Sequence, residues 1–191
     1  TRANSVPLCT ECYESLELLY DPMCRRCGGP LPLSAIISRE GEDETKKLAG
    51  CYRCGGRKIW FDETVAAGMY DGLLRKLVLG MKTDAGNAVS LAMGRLLWHL
   101  RGERLESLKV DVVSPIPLHW RRRLAHRTNS ASVVAEVLSG RLGVPLADGL
   151  LRRRRHTPPQ SELTPPQRWK NVRQAFSIRS SYHLRNAHVL V

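Results

Sequence analysis

Six cysteines, all before residue 55, stand as three Cys-x-x-Cys pairs: Cys9-Thr-Glu-Cys12, Cys24-Arg-Arg-Cys27 and Cys51-Tyr-Arg-Cys54. Three chemistries use cysteines this densely. A disulfide framework suits a small secreted domain, and nothing else in the chain looks secreted. A redox Cys-x-x-Cys usually stands once, after a strand, in a thioredoxin-like setting. Zinc fits best, because two thiolates three residues apart can face one tetrahedral ion at about 2.3 Å. Gly-Gly follows both Cys27 and Cys54, and glycine tolerates the positive φ of a knuckle whose amides point at sulfur.

Cys24, Cys27, Cys51 and Cys54 therefore make one complete structural zinc site. The 23 residues between Cys27 and Cys51 include a polar stretch, Ser38 to Lys47, that reads as an exposed loop. Cys9 and Cys12 are left over. They belong either to a second site whose other knuckle precedes Thr1, or with Cys24 and Cys27, which would leave Cys51 and Cys54 without partners. The first assignment is favoured by the repeated order of knuckles, and the absent initial Met agrees with an upstream truncation. With few large apolar residues before position 60, the module needs metal as its core. Such a module holds a fold together and catalyses nothing by itself.

The 191 residues allow that small module plus one domain with its own core. No window reaches the roughly 18 consecutive apolar residues of a membrane span, and residues 1–7 show no secretory signal pattern. A soluble cytoplasmic protein without a membrane span is the expectation. The net charge of +12 is unevenly spread: residues 1–60 carry +1, residues 61–108 are neutral, and residues 109–191 carry fifteen Lys/Arg against four Asp/Glu. A field of that kind attracts polyanions such as nucleic acid, phosphorylated metabolites or anionic membrane.

Beyond the cysteines the pattern is α/β. Thr64 to Tyr70 reads as a strand. A helix follows with Leu73, Leu74, Leu77, Val78 and Met81 on one face. A second helix runs from about Ala88 to Arg101, its stripe Val89, Met93, Leu96, Leu97 and Leu100. Val110 to Ile116 suits a buried strand stopped by Pro115 and Pro117. Helix is expected from about Ser130 to Leu142, ending at Gly143. Thr164 to Asn171 reads as a capped helix with proline at its first position, and Ala187 to Val191 as a last strand. Alternation of this kind implies a mainly parallel sheet.

Two basic clusters stand out. His119-Trp-Arg-Arg-Arg-Leu-Ala-His126-Arg127-Thr-Asn129 follows a strand's C-terminal end, where open α/β sheets bind ligands. Arg121, Arg122, Arg123 and Arg127 offer forks for phosphate oxygens. Arg152, Arg153, Arg154, Arg155 and His156 form the second cluster, a basic loop reaching to Gln160, with Arg168, Lys170 and Arg173 beyond. Trp120 and Trp169 lie among these charges, either as core residues or as rings on which a base could stack.

Read in order, the motifs resemble the ComF family of competence-associated proteins. They are the Cys-x-x-Cys knuckles, Phe61-Asp62, Tyr70-Asp71-Gly72-Leu73, Leu79-Gly-Met-Lys82, Val113-Ser-Pro-Ile-Pro-Leu-His119, Arg155-His-Thr-Pro-Pro-Gln160 and Asn171-Val-Arg-Gln-Ala-Phe176. The resemblance covers almost the whole chain. It implies a zinc ribbon over 1–60 and a type I phosphoribosyltransferase-like domain over 61–191, and it adds Lys82 and Asn129 to the phosphate- or nucleic-acid-binding candidates. It also implies handling of single-stranded DNA in natural transformation, with a helicase-type partner.

Transfer from phosphoribosyl pyrophosphate with magnesium would need an acidic pair followed by a Thr/Gly-rich turn. Neither Asp-Asp nor Thr-Thr-Gly occurs in the 191 residues, which end where that loop is expected. A phosphoribosyltransferase acting on an unknown acceptor, a glycosyltransferase-class enzyme, is thus expected only of a longer chain. The alternatives are a nucleic-acid-handling protein, such an enzyme, or an adaptor whose ribbon docks a protein.

Overall fold

A computed structural model describes residues 8–16, 23–32, 51–83, 86–119 and 129–191. The Ser38–Lys47 loop, Trp120, Arg121, Arg122, Arg123 and Arg127 lie outside the described residues. The chain divides into two compact units, residues 8–76 and 77–191.

In the first unit, helix α1 (Thr10–Glu14) follows Cys9, whose sulfur accepts the Cys12 N–H at 3.4 Å. Two knuckles come next, with a short antiparallel bridge between Met23 and Pro30 closing the first. The expected strand over 64–70 is not assigned as a strand, and within it Gly68 makes a β-bridge. Thr64 pads the first knuckle instead: its N–H donates to the Arg25 carbonyl at 2.8 Å and its hydroxyl to the Arg26 carbonyl at 3.2 Å. Helix α2 (Gly72–Gly80) matches the predicted periodicity, with Leu74 buried. The division between the units falls inside it, after Lys76.

The second unit is built around a helix pair. Helix α3 (Gly86–Ser107) is longer than the expected 88–101 segment, continuing through Gly102 to Ser107, with Leu105 buried in the extension. Its seam also differs from the predicted large-residue stripe. Leu96 is fully buried, but Gly86, Ser90 and Gly94 are buried too, at i, i+4 spacing. Small residues so spaced let a second helix approach closely. That helix is α4 (Ser130–Leu142), and a Cβ built on Gly94 would meet three atoms of Val137 at 3.1–3.3 Å. Helix α4 ends as predicted at Gly143, in the left-handed region at φ 68°.

The sheet is small. Strand β1 (Val112–Val113) pairs in parallel with β4 (Val189–Leu190), and Val113 also bridges Leu146 in parallel on its other side. Asp111 closes the pairing: its carboxylate accepts the His188 N–H at 2.7 Å, and its own N–H donates to the His188 carbonyl at 2.9 Å. Strand β1 is shorter than the expected 110–116 run because Pro115 and Pro117 have no N–H to offer a ladder.

Strands β2 (Leu151–Arg153) and β3 (Phe176–Ile178) form a separate antiparallel pair. Part of the predicted basic loop is therefore strand, and the described residues form one small parallel and one antiparallel sheet rather than a single mainly parallel one. Between β2 and β3, a short 3-10 turn (Gln160–Glu162) leads into helix α5 (Pro165–Val172). Thr164 stands at the N-cap as predicted, and the Gln167 side chain accepts its N–H at 2.8 Å.

Candidate metal centre and basic surface

Cys24, Cys27, Cys51 and Cys54 bring their sulfurs within 4.8 Å of one another. Cys24 and Cys54 lie 3.7 Å apart, Cys27 and Cys51 3.7 Å, and Cys51 and Cys54 3.9 Å. Four ligands at about 2.3 Å from a tetrahedral ion are separated by about 3.8 Å, so these thiols are positioned to bind a metal ion and the spacing suits structural zinc. Backbone geometry aims them. Gly28 N donates to the Cys24 carbonyl at 2.8 Å and Gly55 N to the Cys51 carbonyl at 2.6 Å. The positive φ predicted for the glycines falls on Gly28 in the first knuckle, but on the second glycine, Gly56, in the other (both 70°).

Cys24, Cys51 and Cys54 are buried, with Leu31 and Ile59 packed against them. Burial pushes the Cys27 thiol up to about 12. Burial acts the same way on Cys51, but the Arg53 and Cys54 N–H groups outweigh it and bring that thiol down to about 7. Each thiol must be deprotonated to bind a metal ion, so binding here is linked to proton release. Cys9 and Cys12 lie outside this group, and among the described residues it is the four-cysteine cluster alone that gathers three or more candidate ligands.

The C-terminal basic residues are divided between structure and surface. Arg155 donates to the Asn171 and Arg173 carbonyls at 2.9 and 2.8 Å, holding the C-terminal end of α5. Arg153 donates to the Thr157 hydroxyl and sits 5.5 Å over the Phe176 ring. Asn171 donates to the Pro158 carbonyl at 3.1 Å, so the Arg-His-Thr-Pro-Pro-Gln and Asn-Val-Arg motifs are stapled to each other. Arg152, Arg154 and His156 remain exposed, as do Arg168, Trp169 and Lys170 on α5.

Asn129 caps α4: its oxygen accepts the Ala131 N–H at 3.3 Å, and its amide donates to the Ile116 carbonyl at 2.9 Å. Lys82 is exposed just past α2, next to Met81, whose carbonyl accepts the Ser130 hydroxyl at 2.5 Å. The chain thus brings Lys82 close to the start of α4, beyond the C-terminal end of β1. There buried His119 also meets exposed His156 edge to face, ring centres 5.2 Å apart.

Sequence reasoning passed over a third group. Tyr52, Trp60 and Phe61 are exposed on the second knuckle and the residues after it, with Arg53, Arg57 and Lys58 among them. The interleaving of rings and cations from 52 to 61 was the available signal.

These features define a class: a four-cysteine metal module preceding a mixed helix-and-strand unit with a small parallel sheet. The chain is similar to Competence protein F of Haemophilus influenzae, with 24% identity over 176 residues, covering 91% of this chain and 77% of that protein. The ComF resemblance read from the motifs is borne out by this relative and by the four-cysteine cluster. No family model matches the chain, and no solved structure matches it. No helix among the described residues is long and apolar enough to cross a membrane.

Proposed function

We propose that this chain is a ComF-like competence protein that handles single-stranded DNA during natural transformation in the cytoplasm. In this reading it has a structural zinc ribbon over 1–60 and a phosphoribosyltransferase-like domain over 61–191, and it works beside a helicase-type partner. The observation that carries the reading is the surface of α5. Trp169 is 62% exposed between exposed Arg168 and Lys170, in the half of the chain that holds nearly all the excess positive charge. A ring that stacks on any base, flanked by cations that hold phosphates, suits a single strand without sequence preference. The likeness to Competence protein F supplies the competence setting.

The test is binding of labelled oligo-dT across a salt series. The wild-type chain should bind with an affinity that falls steeply with salt. The triple variant Arg152→Gln, Arg154→Gln, Trp169→Ala should bind at least tenfold more weakly. An unchanged affinity would show that this surface only faces solvent. A second reading, a phosphoribosyltransferase on an unknown acceptor, draws support from Lys82, the cap of α4 and the two histidines beyond the C-terminal end of parallel strand β1. Calorimetric titration with phosphoribosyl pyrophosphate and magnesium separates the two.

A further inference from the structure

The near-neutral sum over residues 1–60 conceals a segregation. Its eight acidic residues are at 11, 14, 17, 21, 40, 42, 43 and 44. Within the two knuckles, residues 23–32 and 51–61, there are five basic residues and no acidic one, with Asp62 and Glu63 following directly. Four thiolates around a divalent ion carry two negative charges, and five positive side chains exceed them. The same short stretch exposes Tyr52 by 73% and Trp60 by 74%. Because the metal serves as the core, these rings have no interior to enter.

Each ring has its own cation. The Arg53 guanidinium lies 5.5 Å from the Tyr52 ring centre, and its Nε donates to the Tyr52 hydroxyl at 2.9 Å. The Lys58 ammonium lies 4.2 Å from the Trp60 ring centre. The fold fixes this arrangement across both knuckles: Arg26 donates to the Arg57 carbonyl at 2.8 Å, and the Arg53 side chain runs past Gly29.

We infer that the ribbon is a second contact for single-stranded nucleic acid, with Tyr52 and Trp60 stacking on bases while Arg53, Arg57 and Lys58 hold the adjoining phosphates. This rests on the single-strand reading above and places a contact in a different unit from the α5 surface. A protein partner fits less well at Trp60, since lysine is depleted at the centre of a protein interface, whereas here the Lys58 ammonium lies 4.2 Å from that ring's centre. A nucleotide offers both complements at once, a π-face and a phosphate. Two contacts on one chain raise affinity by effective concentration, each making the other's engagement intramolecular.

The test uses the zinc-loaded chain and labelled oligo-dT over a salt series, with zinc per chain measured for every variant as the check on folding. Tyr52→Ala with Trp60→Ala should weaken binding about tenfold or more, while Trp60→Phe should keep most of the affinity because a ring remains. Arg57→Gln with Lys58→Gln, both at exposed positions, should lower the magnitude of the salt slope by about 1.4, two phosphates at about 0.7 each. Unchanged affinity and slope in zinc-replete variants, alongside the expected loss in the Arg152, Arg154 and Trp169 variant, overturns the inference and leaves the single-strand reading standing; the rings then face a protein. A wild-type chain that does not bind oligo-dT overturns both.

Discussion

Replacing Cys54 with serine should do more than weaken a site; it should remove the ribbon. Cys54 is 3% exposed, its sulfur lies 3.7 Å from that of Cys24 and 3.9 Å from that of Cys51, and it accepts the Cys51 N–H at 3.3 Å. The apolar side chains packed against the cluster are Leu31 and Ile59, both only partly buried. Complete burial would give each about 1.5–3 kcal/mol, so together they stay below about 6 kcal/mol. Structural zinc in small modules contributes about 10–16 kcal/mol. Since the metal term exceeds the apolar one, the knuckles should lose their fold as a unit when a ligand is lost.

The assay is elemental zinc per chain together with hydrogen exchange. Wild-type protein should carry close to one zinc through this cluster. Cys54→Ser should lose it, and protection of residues 51–60 should vanish while α3 and α4 in the other unit stay protected. Cys9→Ser, outside the cluster, should keep this zinc. Full zinc retention by Cys54→Ser, or unaltered exchange in its knuckle, would refute the assignment of these four ligands.

Other outcomes follow from the same geometry. Gly94→Ala should destabilise the second unit by about 1–2 kcal/mol, as the clash with stiff Val137 outweighs the gain in helix propensity. Gly140→Ala, with nothing within 4 Å of its Cβ, should stabilise by up to about 1 kcal/mol; thermal melts decide both. Acidification should release zinc, because protons compete for the thiolates. Cys27, raised to about 12, gives up a proton on binding at any ordinary pH, and Cys51 adds one more to the protons released below about 7, so a chelator titration should show apparent affinity falling more steeply below that point. Changing Arg121, Arg122 and Arg123 together to alanine should weaken oligo-dT binding and flatten its salt dependence, and an unchanged slope would make that run a solvated face.

What the sequence disclosed was local. Ser130 to Leu142 and Gly143 contain a helix and a stop, and the structure follows them, adding the ligand candidate Asn129 as a cap. Thr164 and the proline after it did the same for α5. Cys-x-x-Cys spacing located the metal cluster, since each pair is fixed by one tight turn and only the pairing of knuckles is non-local. Non-local pairing is also where reading failed. Thr64 to Tyr70 has the composition of a strand, yet its first residue is spent on the Arg25 and Arg26 carbonyls. Arg152 and Arg153 looked like loop because charge hid a pairing with Phe176 and Ser177, about two dozen residues away.

The arginines carry a more general point. Four in a row have one charge pattern but at least two occupations. Arg155 supports the carbonyls that end α5, and Arg153 lies against Phe176 and Thr157, while Arg152 and Arg154 point to solvent. Alternation within β2 separates Arg152 from Arg153, because successive side chains of a strand face opposite ways, while Arg154 and Arg155 lie past its end. A motif as specific as Arg-His-Thr-Pro-Pro-Gln need not be a ligand motif throughout: its arginine and threonine hold β2, β3 and α5 together, and its histidine sits at the exposed edge beside His119. Mutational loss at Arg153 or Arg155 would therefore report on stability first, whereas loss at Arg152, Arg154 or Trp169 with an unchanged melting temperature would report on binding.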